Sequence, residues 1–118
     1  MKALVFAVAL LTAQGAFAKA PESVRAEVAH LMTAVEKSQC KFNRNGSWHD
    51  AKAARAHLQK KFDYLDKKDL VTTTESFIER GASTSSMSGK PYEMQCGSAK
   101  AVTSSAWLIE ELSKFRKK

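Results

Sequence analysis

Cys40-Lys41-Phe42-Asn43-Arg44-Asn45-Gly46-Ser47-Trp48-His49-Asp50 is the stretch on which the fold class turns. Asn45-Gly46 is a strong short-range hairpin signal when alternating strands flank it. Before it, however, stands one apolar side chain, Phe42, with no alternation around it. The stretch therefore reads as a loop between two helices.

The flanks support that reading. Upstream, Pro21-Glu22-Ser23 resembles a helix start, and Val24, Val28, Leu31, Met32 and Val35 recur at helical spacing. Downstream, Ser47 with Asp50 three residues later resembles a capping box. Ala51, Ala54, Leu58, Phe62 and Leu65 then form an apolar face that stops within Asp66-Lys67-Lys68-Asp69. A shorter helix follows, with a capping box from Thr72 to Glu75, Phe77 and Ile78 as core residues, and Gly81 as the terminator.

Residues 82–90 are rich in serine and lack apolar periodicity, which marks a loop. Tyr92, Met94 and Cys96 alternate with Glu93 and Gln95, a short extended segment after Pro91. A last helix after Thr103 or Ser104 packs Trp107, Leu108, Leu112 and Phe115. Its end, Lys114-Phe115-Arg116-Lys117-Lys118, reads as a solvated basic terminus favoured by the helix dipole. The expected fold is mainly α: one domain of about four helices, with a Ser-rich loop and a single extended segment.

The N-terminus supplies an address. Met1-Lys2 precedes an apolar run from Ala3 to Ala13, and Ala16-Phe17-Ala18 fits the small-x-small cleavage rule. Residues 1–18 are therefore expected to be a cleaved secretory signal, too short to span a bilayer. The domain is then residues 19–118. The formal charge of the whole chain is +7, and removal of Lys2 leaves +6. Outside the cytoplasm that charge points to lipid headgroups, cell-wall polymers or an acidic protein, rather than to nucleic acid. No later apolar run is long enough to cross a membrane. In an oxidising compartment the two cysteines, Cys40 and Cys96, are expected to pair. They lack the Cys-x-x-Cys spacing of redox centres. No cofactor or metal is implied: His49 and His57 stand two helical turns apart, about 12 Å, too far for one ion.

A Cys40–Cys96 bond would merge two polar segments into one surface. Arg44 offers a fork for a carboxylate or phosphate, and Ser85, Ser86, Ser88, Gly89 and Lys90 offer donors to an anion or a carbohydrate. Tyr92 and Trp48 add aromatic walls, and Asn45 belongs to the same turn as Arg44. The competing expectation is that the serines only cap helices and close turns. Catalytic templates fail: Gly81 and Gly89 are too far apart for a P-loop, and position 87, where a Ser-x-x-Lys dyad needs serine, is Met87.

Cys40-x-Phe42-x-Arg44-Asn45-Gly46, Ala56-His57-Leu58-x-x-Lys61, Phe77-Ile78-Glu79, Ser85-Ser86-x-Ser88-Gly89-Lys90-Pro91-Tyr92 with Cys96, and Trp107-Leu108 together resemble the YfeK-like proteins. These are small Gram-negative envelope proteins of unknown function. The resemblance spans nearly all of residues 19–118 and implies a periplasmic location, but no activity, substrate or cofactor. Trp48 stands where a tyrosine would be expected. Ser88-Gly89-Lys90-Pro91-Tyr92 is also similar to the Ser-Gly-x-x-Tyr loop of periplasmic lysozyme inhibitors. That match covers five residues, and those inhibitors are β-barrels. Two functions follow as expectations. One is a periplasmic binding or accessory module for an anionic or carbohydrate envelope component. The alternative is a protein-partner module that blocks an envelope enzyme through Ser88–Tyr92, with an envelope hydrolase a lesser one.

Overall fold

The computed structural model describes residues 19–118; the expected signal peptide, residues 1–18, lies outside the described residues. Four helices are present: α1 (Glu22–Ser38), α2 (Ala51–Lys67), α3 (Thr74–Gly81) and α4 (Ser104–Arg116). Between them run four short strands: β1 (Lys41–Arg44), β2 (Ser47–His49), β3 (Glu93–Gln95) and β4 (Val102–Thr103). They form one antiparallel sheet in the order β2-β1-β3-β4. The domain is thus mixed α and β, which corrects the mainly helical expectation.

The correction begins at Asn45-Gly46. Both residues have positive φ, 58° and 88°, as the two central residues of a type I′ hairpin turn require. The Gly46 amide donates to Asn43 Oδ1 at 3.0 Å, and Arg44 pairs with Ser47 across the turn. Ser47–His49 is consequently a strand. Asp50, not Ser47, caps α2, its carboxylate accepting from the Ala53 amide at 2.8 Å. The cap of α3 also shifts by one: Thr73 accepts from the Ser76 amide, and the Ser76 hydroxyl reaches back to complete the box.

The extended segment read at Tyr92–Cys96 does have a partner, namely β1. Lys41 opposes Gln95 and Phe42 opposes Met94. One position beyond this ladder, Cys40 and Cys96 are joined by a disulfide. The bond therefore staples the two central strands as well as the end of α1 to the segment before α4.

Phe42 and Met94 face the helices and join Leu31, Met32, Phe77, Ile78, Leu108 and Leu112 in one core. Phe62 and Phe77 meet edge to face at 5.4 Å. Trp107 is half-buried against this core. Gly81 is not the positive-φ terminator expected of it but the last residue of α3. A Cβ there would come within 2.9 Å of Leu65 Cδ1 and 3.0 Å of Phe77 Cε1. A side chain there would have to displace the end of Leu65 on α2 and the Phe77 ring of α3 itself.

Two polar clamps close the helical layer. Buried Asp66 accepts from the Ala20 amide at 2.8 Å and from Arg25 Nη1 at 2.9 Å, tying the start of α1 to the end of α2. Arg116 is not a free basic tail residue. It donates to Glu27 on α1 and to Glu75 on α3, at 2.6–3.1 Å. The same guanidinium holds both carboxyls below their usual range. No described helix is long and apolar enough to cross a membrane.

Two measurements test this packing. Removing the disulfide with Cys40→Ser/Cys96→Ser frees a loop closed across a separation of 56 residues. Chain-entropy reasoning then expects a loss of roughly 4 kcal/mol in urea unfolding; a loss under about 1 kcal/mol would contradict the stapling role. Gly81→Ala is expected to cost about 1–3 kcal/mol by overpacking, whereas an ordinary exposed helix position would gain stability from alanine.

Candidate functional site

A narrow cleft opens between the helix-facing side of the sheet and α2. Strand alternation puts Phe42, Arg44 and His49 on that side, since Phe42 pairs with His49 across the β1–β2 ladder. Ala54, His57 and Leu58 line the cleft from α2. Tyr92 and Ser104 close its far end, held together by a hydrogen bond from the Ser104 amide to the Tyr92 carbonyl at 2.9 Å. The free volume is about 20 Å³, room for one water-sized group.

His57 Nε2 and the Tyr92 hydroxyl share a hydrogen bond of 3.2 Å, with the rings edge to face. Burial pushes the His57 pKa down to about 4, and Arg44, Lys61, His49 and Lys60 add to the effect. Burial also raises the Tyr92 pKa, against a smaller opposing pull from Arg44. At neutral pH both groups are therefore uncharged. Ser104, only 2 % exposed, has a hydroxyl with no hydrogen-bond partner. It is not bonded to His57, so the two do not form a nucleophile–base pair in this geometry. Among the described residues no three His, Cys, Asp or Glu side chains cluster as metal ligands.

The residues singled out from the sequence divide into four groups. Arg44 and Tyr92 do meet, at the cleft. Asn45 and Lys90 line an adjoining shallow groove with Asn43, Gly46, Pro91 and Glu93. Trp48 goes elsewhere: it pairs with Asn43, on the opposite side of the sheet from Arg44, and is 45 % exposed.

The serines mostly serve their own loop. Buried Ser85 accepts from the Met87 and Ser88 amides, and Ser88 accepts from the Lys90 amide. Gly89, at φ 72°, turns its amide onto the Ser85 carbonyl at 2.8 Å. Two serines reach other elements: Ser86 accepts from Lys61 Nζ of α2 at 3.2 Å, and Ser83 donates to the Ile78 carbonyl of α3 at 2.7 Å. The loop is thus a self-bonded turn rather than a row of free hydroxyls.

No sequence motif marks His49, His57 or Ser104 as site residues. His49 lies on β2 rather than on a helix, so it lines the same cleft as His57, against the expectation that the two stand apart. Ser104 carried only a helix-start signal, and no spacing rule links residue 57 to residue 92.

A family model described as a family of unknown function, DUF5329, matches residues 22–116, and the chain belongs to that family. It is also similar to a protein of Salmonella typhimurium (strain LT2) described as "Uncharacterized protein YfeK". The two are 36 % identical over 94 residues, which span 78 % of this chain and 77 % of that protein. No solved structure matches.

The buried imidazole gives a pH prediction. In the unfolded chain His57 takes its proton near the ordinary value of 6.5, but in the folded chain only near 4. Between these values the unfolded state binds more protons. Stability from this group is therefore complete above about pH 6.5 and falls as pH drops toward 4. At about 1.4 kcal/mol per pKa unit, with solvent at the half-buried ring, the loss is at most about 3 kcal/mol. Urea midpoints for the wild type should fall from pH 7 to pH 5, and His57→Phe should flatten that limb. Parallel curves for the two proteins would contradict it.

Proposed function

We propose that this chain is a periplasmic binding or accessory module for an anionic or carbohydrate component of the envelope. Its site is the surface where the Arg44 turn meets the Ser85–Tyr92 loop. The observation that carries this reading is the shared position of Arg44 and Tyr92 at one cleft, with Asn45 and Lys90 in the adjoining groove. Arg25, Arg55 and Arg116 each hold a carboxylate, but Arg44 has no such partner among the described residues. A fork-shaped cation beside an apolar-walled cleft suits a carboxylate or phosphate group. The signal-like residues 1–18 and the Cys40–Cys96 bond support the periplasmic setting. The self-bonded loop also leaves Met87 86 % exposed, the feature that favours a protein partner as the other reading.

The test compares wild type, Arg44→Ala and Lys90→Ala in binding to peptidoglycan fragments and lipopolysaccharide. Each substitution is expected to weaken binding about 5- to 20-fold, as loss of a charge-assisted contact does, and added salt should weaken the wild type. Equal binding by all three proteins, or binding by none, overturns the reading. A stoichiometric envelope protein captured by the wild type and lost on Ser88→Arg would replace it with the partner reading.

A further inference from the structure

The Ser104 hydroxyl is the one side-chain polar atom among the described residues that is both buried and unpartnered. Folded proteins rarely leave such a group unsatisfied, and those that exist call for a bound water or ligand. Ser104 lines the cleft, so its missing partner has a place to sit. We infer that this cleft is a carboxylate site: one oxygen enters to accept a hydrogen bond from Ser104 Oγ, while the other stays at the mouth on the Arg44 guanidinium.

Three observations favour an anion over a neutral guest. The charged and basic groups acting on His57 are Arg44, Lys61, His49 and Lys60, with no carboxylate among them. No acidic residue lines the cleft, and Arg44 has no carboxylate of its own among the described residues. Ser104 is also the first residue of the 13-residue α4, whose N-terminal end carries positive partial charge.

Shape then selects the anion. The free volume fits one oxygen-sized group between the apolar walls of Phe42, Ala54 and Leu58. A flat carboxylate can put a single oxygen there and leave its second on Arg44. A tetrahedral phosphate could also insert one oxygen, but its remaining oxygens would then lie against the apolar Phe42, Ala54 and Leu58. Tyr92 and His57, both neutral, line the slot without opposing the charge. This assignment rests on the proposed binding role of the Arg44 side of the molecule, but not on a polymer as the ligand.

The test is an NMR titration of residues 19–118 with sodium acetate at fixed ionic strength, with acetamide as the neutral isostere and chloride as the salt control. Galacturonate and N-acetyl-alanyl-alanine, as second and third arms, separate a sugar acid from a peptide terminus as the carboxylate source. Acetate should give saturable shifts at the Ser104 amide, the His57 ring and Arg44 Nε, with millimolar affinity. Acetamide should bind at least tenfold more weakly. Ser104→Ala should weaken acetate binding about tenfold with its melting temperature unchanged or higher, because it deletes a hydroxyl without a partner. Arg44→Gln should weaken it similarly, and Lys37→Ala, a charge control on α1, should not.

Absence of saturation at these residues overturns the assignment. So do equal shifts from acetamide or chloride, or a wild-type response from Ser104→Ala. Acetate binding without any polymer binding would leave this site standing and remove only the envelope-polymer reading. Polymer binding lost on Lys90→Ala, with no response to acetate, would do the reverse.

Discussion

Pairing of β1 with β3, closed by the Cys40–Cys96 bond, is the constraint from which the rest of the molecule follows. β1 belongs to the hairpin that leads into α2, and β3 belongs to the segment that leads into α4. The two segments have no reason to meet in a chain of independent helices. Once they pair, Arg44 faces α2, Tyr92 approaches His57, and the Ser104 amide finds the Tyr92 carbonyl. The cleft is a by-product of one ladder. It contains residues from β1, β2, α2, the segment before β3, and the first turn of α4, none of which is a binding element alone.

The helical half of this structure is legible in the sequence because its burial is one-sided and regular. Val24, Val28, Leu31, Met32 and Val35 mark α1 without ambiguity, and Leu58, Phe62 and Leu65 do the same for α2. The sheet is not legible in the same way. In Lys41–Arg44 only Phe42 is buried, so the alternation that identifies a strand has one member. β3 shows its alternation, but a strand is recognised as part of a sheet only when its partner is recognised too. The Asn45-Gly46 turn did carry the information. Turn chemistry outweighed the missing alternation, because the far side of the sheet carries Trp48 as a lone aromatic among polar residues and offers no apolar pattern to read.

The site was legible in part for the same reason. Arg44 and Tyr92 stand next to the two cysteines, so the covalent bond brought them together on paper. Ser104 and His57 depend on packing between elements whose spacing in the chain says nothing of their distance. The serine loop shows the opposite failure. Its composition suggested hydroxyls waiting for a ligand, whereas the backbone amides of Met87, Ser88 and Lys90 already occupy those oxygens. Polar composition reports what a loop can bond to, not whether its own backbone has done so first.

The order β2-β1-β3-β4 leaves two outer edges, of three and two residues. An open edge is a template on which another chain can add a strand, and proteins commonly guard against it. Here the guard is brevity. β2 is cut off by the Asn45-Gly46 turn at one end and the Asp50 cap at the other, and β4 runs directly into α4. Neither edge offers another chain more than three residues of ladder, so it is shortness, not a covering element, that discourages strand addition to this sheet.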